Sequence, residues 1–190
     1  MKPFGALLSF EEAMKIVEAN IKPITRTEKV NIDDASGRVL AEDIVAELSI
    51  PSFNRAAMDG YAVKAKDTFG SGQLKPKTLE LAGEMHAGDT PTNKVNAGQC
   101  IQIATGAMMP AGADAVVMVE DTEVEEGRVK IFRAVLPGGN VGKKGEDVRE
   151  GESVLKKGVI LDAGKIGVLA SQGIQKVKVY QQPKVAVLPS

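Results

Sequence analysis

Pro51-Ser52-Phe53-Asn54-Arg55-Ala56-Ala57-Met58-Asp59-Gly60-Tyr61-Ala62-Val63 reads as a loop running into a strand. Pro51 and the small residues after it set the loop, and Tyr61-Ala62-Val63 anchors it. The loop delivers one carboxylate, Asp59, beside a glycine. A rigidly supported loop acid is how metal ligands and positioning groups are presented. A lone Asp-Gly is more often only a hairpin turn, so the surrounding sequence has to decide.

Downstream of Gly60 the hydrophobic period is two. Leu79 and Leu81 alternate with Glu80, Ile101 and Ile103 with Gln102, and Val129 and Ile131 with Lys130. Asp114-Ala115-Val116-Val117-Met118-Val119 reads as a fully buried strand. Gly, Pro, Asn and Asp cluster at 86–93, 105–114 and 137–145 between these runs. Short strands joined by turn chemistry predict a small β-rich unit, either barrel-like or a sandwich.

The ends read differently. Ser9 and Glu12 stand at capping-box spacing, and Phe10, Ala13, Met14, Val17 and Ile21 recur at helical intervals, so an amphipathic helix is predicted over 9–21, ended by Pro23. Packing against its own domain is the default for such a stripe; a second subunit is the minority alternative. From Glu28 to Glu47 strand and turn pieces alternate, with Asp33 to Gly37 as a turn or short helix. Near the other end Asp162 caps a short helix carrying Ile166, Val168, Leu169 and Ala170, with Gly173 just past it. Val177 and Val179 lie in a strand. Lys184 to Leu188 predicts a further buried strand, and a central-type strand this close to Ser190 points to a truncated polypeptide.

Composition narrows the class. The 190 residues carry 24 Lys+Arg against 25 Asp+Glu, with 43% hydrophobic and 26% charged residues. That balance argues against a nucleic-acid binder, which needs a basic surplus, and against disorder. The longest apolar runs, such as Ala115 to Val119 or Phe4 to Leu8 around a glycine, are far short of the roughly 20 residues of a membrane span. A single cysteine, Cys100, makes no internal disulfide and suits a reducing, cytoplasmic compartment.

Two further stretches have chemical potential. Ile103-Ala104-Thr105-Gly106-Ala107-Met108-Met109-Pro110-Ala111-Gly112-Ala113-Asp114 ends a strand at a hydroxyl and free amides, which can hold a phosphate or a polar ring or simply cap the strand. Gly138-Gly139-Asn140-Val141-Gly142-Lys143-Lys144-Gly145-Glu146-Asp147-Val148 superficially resembles a P-loop, but Pro137 stands at the first position and Lys144 replaces the hydroxyl residue. It is a basic loop closed by acids. The acids from Glu120 to Glu126, followed by Gly127, read as a solvated hairpin tip. His86 is the single histidine, so no multi-His metal site or His-paired nucleophile is available, and its loop context predicts an exposed, non-catalytic side chain. Cys100 reads as a packing residue. An oxygen-ligated Mg²⁺ site stays open, since it needs one or two carboxylates plus substrate phosphates.

Together the three stretches resemble the MoeA family of molybdopterin molybdenumtransferases, which includes the gephyrin E domain. Phe53 to Val63 is similar to the family's F-[DN]-x-[SA]-A-M-D-G-Y-A-[VL] signature. Ala104-Thr105-Gly106-Ala107, with Pro110 and Gly112 to Val117, is similar to its second block. Gly145-Glu146-Asp147, preceded by Lys143 and Lys144, is similar to its third.

The resemblance implies an α+β fold in which a β-rich, barrel-like domain II (46–143) is inserted into a discontinuous α/β dimerisation domain I (1–45 and 144–180). Residues 183–190 would begin a molybdopterin-binding domain III. It implies a homodimeric transferase that inserts molybdate into adenylylated molybdopterin, releasing AMP with Mg²⁺ present, in molybdenum cofactor biosynthesis, and a molybdopterin adenylyltransferase as a partner. Asp59 and Asp147 then match the catalytic or Mg²⁺-positioning acids. Thr105 and the Gly106 amide would bind the pterin or phosphate, and Lys143 and Lys144 would steer the anionic pterin substrate. Because the family's cleft is composite, this chain alone would be inactive. The alternative is a dimerisation or scaffold module of a gephyrin-like protein; a third is a stand-alone ligand-binding β domain.

Overall fold

Two stretches far apart in sequence close the outer unit of the chain: Thr27–Asn31 lies antiparallel to Lys176–Tyr180, with Lys29 opposite Lys178. The computed structural model describes residues 8–187. It divides into one unit built from residues up to Ile44 and from Leu155 onward, and a second of Val45–Val154. Residues 144–154, with Asp147, therefore belong to the middle unit.

In the outer unit Leu40, Leu161, Leu169, Val177 and Val179 are buried. The helix Ala163–Ser171 starts where Asp162 accepts a hydrogen bond from the Lys165 amide at 2.9 Å. It ends before Gly173, whose φ of +72° suits a residue without a Cβ. The predicted turn near Asp33 is a short 3-10 helix, Ile32–Asp34.

The helix Phe10–Asn20 carries the expected capping box: the Glu12 amide donates to Ser9 Oγ at 3.2 Å, and the Ser9 amide to Glu12 Oε2 at 3.0 Å. None of its residues is buried, and Phe10 is 76% exposed. Packing on its own domain is thus not what the described residues show. An apolar stripe gains stability only where a complementary surface covers it. Residues 181–187 likewise form no strand, and Val185 and Val187 are exposed. A buried strand needs ladder partners, and among the described residues none pairs with 182–187; Leu188 lies outside the described residues.

The middle unit is a six-stranded mixed sheet. Its strands are Gly60–Val63, Lys77–Met85, Gln99–Ile103, Ala115–Met118, Thr122–Glu125 and Arg128–Ile131. The spatial order runs Ala115–Met118, Gly60–Val63, Gln99–Ile103, Lys77–Met85, Arg128–Ile131, Thr122–Glu125. The two edge strands follow one another in the chain, joined only by the 3-10 turn Val119–Asp121. A flat sheet of this width would hold its edges about 24 Å apart, but the steps from Met118 to Thr122 reach at most about 14 Å. The sheet therefore curls until its edges approach. Tyr61, second in the order, meets the side chain of Thr122 on the far edge, as the curl requires.

One face of the curl packs Tyr61, Val63, Leu79, Cys100, Val117, Val129 and Ile131. Its other face packs Ala62, Met85, Ile101, Ile103 and Val116 beneath Val95 and Ala107. Leu79 and Met85 stand at even spacing in one strand, yet they serve opposite faces. The register explains this: Leu81 pairs with Cys100 but Glu84 with Gln102, so a β-bulge inserts one residue between them. Of the acids expected at a hairpin tip, only Glu126 is there, with φ of +47° beside Gly127 at +76°; Glu123 and Glu125 lie in the strand and Glu120 and Asp121 in the 3-10 turn before it.

Candidate functional site

The three sequence blocks meet on the first of them. Arg55–Ala56 pairs antiparallel with Val141–Gly142. On one side the Ala56 amide donates to Ala107 O, and the Gly106 amide to Ala56 O, both at 2.9 Å, while the Met109 amide reaches Asn54 O at 2.9 Å. On the other side Asn54 Oδ1 accepts from the Lys144 amide at 2.9 Å. The Gly145 amide donates to Pro51 O at 2.9 Å, and the Asp147 amide to Ile50 O at 3.0 Å. Block one is thus the scaffold on which the other two are laid.

Asp59 sits where this scaffold enters the sheet. Its Oδ1 accepts the Thr105 backbone N–H at 2.7 Å and the Thr105 hydroxyl at 2.8 Å. These two bonds, the backbone one first, hold the exposed carboxyl below its ordinary value of 3.8. A Cβ on Gly60 would overlap the Val117 carbonyl oxygen, so glycine lets the edge strand run against the first residue after Asp59. The Asp-Gly pair is a strand entry point, not a hairpin turn.

The sheet topology collects further groups around Asp59. The strand Gly60–Val63 runs opposite to Gln99–Ile103, which is parallel to Lys77–Met85. The start of the first and the ends of the other two therefore share one rim. There a cleft of about 310 Å³ is lined by Asp59, Tyr61, Glu84, His86, Gln102 and Val119. Asp59 immediately precedes the strand that carries Tyr61, and His86 immediately follows the one that carries Glu84, so all four line the same cleft. His86 Nε2 lies 3.5 Å from Glu84 Oε1.

The other predicted residues are placed as follows. Asp147 is exposed, and it shares no hydrogen-bond partner with Asp59 among the described residues. The Gly106 amide and both Thr105 donors are already committed within the chain, so they are not free donors for a ligand. Lys143 and Lys144 are exposed, and the Lys143 amide is held by Glu146 Oε2 at 2.8 Å. Glu146 also faces Arg55 at 3.4 Å. Cys100 is buried, with its thiol pushed up to about 12 by desolvation. His86 is exposed as expected, but it lines the cleft together with Glu84 and Gln102, and the sequence reading did not place these three there. The signal was the two-residue alternation; the bulge at Ala82-Gly83 hid it.

No helix among the described residues is long and apolar enough to cross a membrane. The profile of the MoeA N-terminal region (domain I and II) matches residues 8–173. The chain is 36% identical over 182 residues to a molybdopterin molybdenumtransferase of Staphylococcus epidermidis, covering 95% of this chain and 43% of that protein. It is 37% identical over 183 residues to one of Haemophilus influenzae, covering 96% and 44%. A crystal structure of a molybdopterin biosynthesis moeA protein from Pyrococcus horikoshii OT3 superposes with a TM-score of 0.86 at 43% identity, over 94% of this chain and 47% of that one. The chain thus spans less than half the length of these relatives. A profile match from residue 8 to residue 173 makes this chain a member of the MoeA family, corresponding to its N-terminal region.

Proposed function

We propose that this chain forms the N-terminal part of a molybdopterin molybdenumtransferase. The full-length protein would insert molybdate into adenylylated molybdopterin and release AMP, as a transferase of molybdenum cofactor biosynthesis. The outer unit would be domain I and the β-rich middle unit an inserted domain II, with the second boundary near 154. Residues from about 183 would lead into domain III, whose face would complete the cleft across a homodimer. The uncovered stripe of Phe10, Met14 and Val17 supports a subunit contact. This chain alone would not turn over. A molybdopterin adenylyltransferase would supply the adenylylated substrate in the cytoplasm.

The observation that carries this reading is the bonding of Asp59 to Thr105 at the mouth of a cleft. An acid held ionised there is suited to positioning at a phosphoanhydride. Thr105 acts through Asp59 and is a positioning residue. Lys143 and Lys144 would draw in the anionic substrate.

Among the described residues no cluster of three or more His, Cys, Asp or Glu could hold a metal. Asp59 still fits as one ligand of a shared Mg²⁺, since Oδ2 stands outside its bonds to Thr105 and such an ion takes its remaining ligands from phosphates and water. Asp147 is the second acid we assign to it. When bound, the ion would neutralise charge on the phosphates.

The test is AMP release from adenylylated molybdopterin with molybdate by the full-length protein. We expect Asp59→Asn to slow release by about 100-fold. No release by the wild type, or an unchanged rate in Asp59→Asn, would overturn the proposal.

A further inference from the structure

The cleft has a second polar wall that Asp59 chemistry does not use. Glu84 is the cross-strand neighbour of Gln102, which is in turn the neighbour of Tyr61. The three make one row across three strands, at the mouth of the curled sheet. The row exists because of the bulge. Continued from Leu79 and Leu81, an unbroken alternation would bring Met85 to this face; the inserted residue brings Glu84 there and sends Met85 to the opposite core. Bulges at such places re-aim side chains.

Charge selects what this wall can hold. The lining carries two carboxylates, an imidazole and an amide, and it includes no Lys or Arg. A phosphate group set against Glu84 would be repelled, with no Lys or Arg in the lining to offset that charge. A flat heterocycle with adjacent amino and ring N–H donors would instead meet Glu84 edge-on, in charge-assisted hydrogen bonds. His86, 3.5 Å from Glu84, limits where that carboxylate can swing. The His86 amide is itself fixed by Asp89 Oδ2 at 2.8 Å. Gln102 supplies one further donor and acceptor, and Val119 an apolar edge. The space suits a bicyclic ring rather than a whole nucleotide.

We infer that Glu84, seconded by His86 and Gln102, recognises the hydrogen-bond-donating edge of the pterin ring and sets ring specificity at this cleft. This rests on the proposed function only in taking a pterin as the ligand. It separates the substrate into two parts: ring edge at Glu84, and phosphates toward Asp59 with the Lys143–Lys144 loop supplying attraction from outside the lining.

The experiment is a fluorescence titration of the full-length protein with molybdopterin, with neopterin, a pterin free of phosphate, as competitor. Glu84→Ala and the isosteric Glu84→Gln should each weaken molybdopterin binding about tenfold. Glu84→Asp should recover part of the loss, and neopterin should compete in the wild type. Thermal unfolding of each variant reports that it is folded. Wild-type affinity in folded Glu84→Gln, or a wild type that binds no molybdopterin, overturns the inference. Pterin binding that depends on Glu84 in a wild type that releases no AMP would uphold the cleft assignment and overturn the proposed reaction.

Discussion

Asp59 and Thr105 lie 46 residues apart, and both donors of the threonine converge on a single carboxylate oxygen, Oδ1, at 2.7 and 2.8 Å. The two bonds differ in what can remove them. The backbone bond belongs to the fold, because Thr105 follows the strand Gln99–Ile103 that registers against Gly60. The hydroxyl bond belongs to the side chain alone.

Replacing Thr105 by valine keeps the first bond and deletes the second. Since both lower the Asp59 carboxyl, its titration should move up toward 3.8 in Thr105→Val and stay put in Thr105→Ser. A carboxyl depressed in the folded state stabilises the protein above its unfolded value, and that contribution is lost as pH falls through the folded one. The acid limb of both stability and activity should therefore shift to higher pH in the valine variant. Carboxyl-carbon NMR titration of Asp59 reads this directly, and an unshifted curve would show that the hydroxyl contributes nothing.

Cys100 is buried in the interior of the curl, its Sγ 3.5 Å from the Glu80 carbonyl. Desolvation pushes the thiol up to about 12, so at neutral pH almost no thiolate exists to react. We expect a disulfide-exchange reagent to leave the native chain unlabelled and to label one thiol per chain in denaturant. Cys100→Ala should lower stability by about 1 kcal/mol through lost packing, with no effect on ligand binding. Rapid native labelling would refute the burial.

How much of this was legible in sequence depends on whether a signal was local. The Ser9–Glu12 box, the Asp162 cap and the Glu126-Gly127 turn are each set by a few adjacent residues, and each is where the sequence reading puts it. The alternations at Leu79, Ile101 and Val129 likewise identify strands. What they do not contain is the partner of each strand. Only the spatial order brings Glu84 beside Gln102, and only the bulge turns the exposed Glu84 onto the cleft face, so His86 read alone remains an ordinary loop histidine. Lys184 to Val187 illustrates the converse, a run with strand composition that pairs with no strand among the described residues.

The hairpin between Thr122–Glu125 and Arg128–Ile131 turns on two residues with positive φ. Gly127 accepts this without cost, but Glu126 at +47° has a Cβ in the left-handed region. Asparagine tolerates that region better, and Asn-Gly is the preferred pair for such turns. Glu126→Asn should stabilise the chain by about 0.5 kcal/mol and Gly127→Ala should destabilise it by about 1 kcal/mol. Urea midpoints of the two variants should move in opposite directions. Movement in the same direction would mean that the turn is not of this type.

Gly60 makes the strongest demand of any glycine in the middle unit. Its φ is unexceptional, so backbone freedom is not the reason for it. A Cβ there would run into the Val117 carbonyl oxygen and crowd Met118 Cα, both backbone atoms of the adjoining strand, which cannot rotate away. Gly60 pairs with Met118 on one side and Ile103 on the other, so any retreat would open a ladder. Gly60→Ala should therefore cost about 3 kcal/mol, more than any conformational effect of alanine would produce. The displacement also begins one residue from Asp59. Hydrogen exchange should accordingly report faster opening at the Val119 amide, which Asp59 O holds at 3.1 Å, and at the Thr105 amide. Unchanged protection at both amides, with stability retained, would mean that the edge strand yields and that Asp59 is not set by the Gly60 contact.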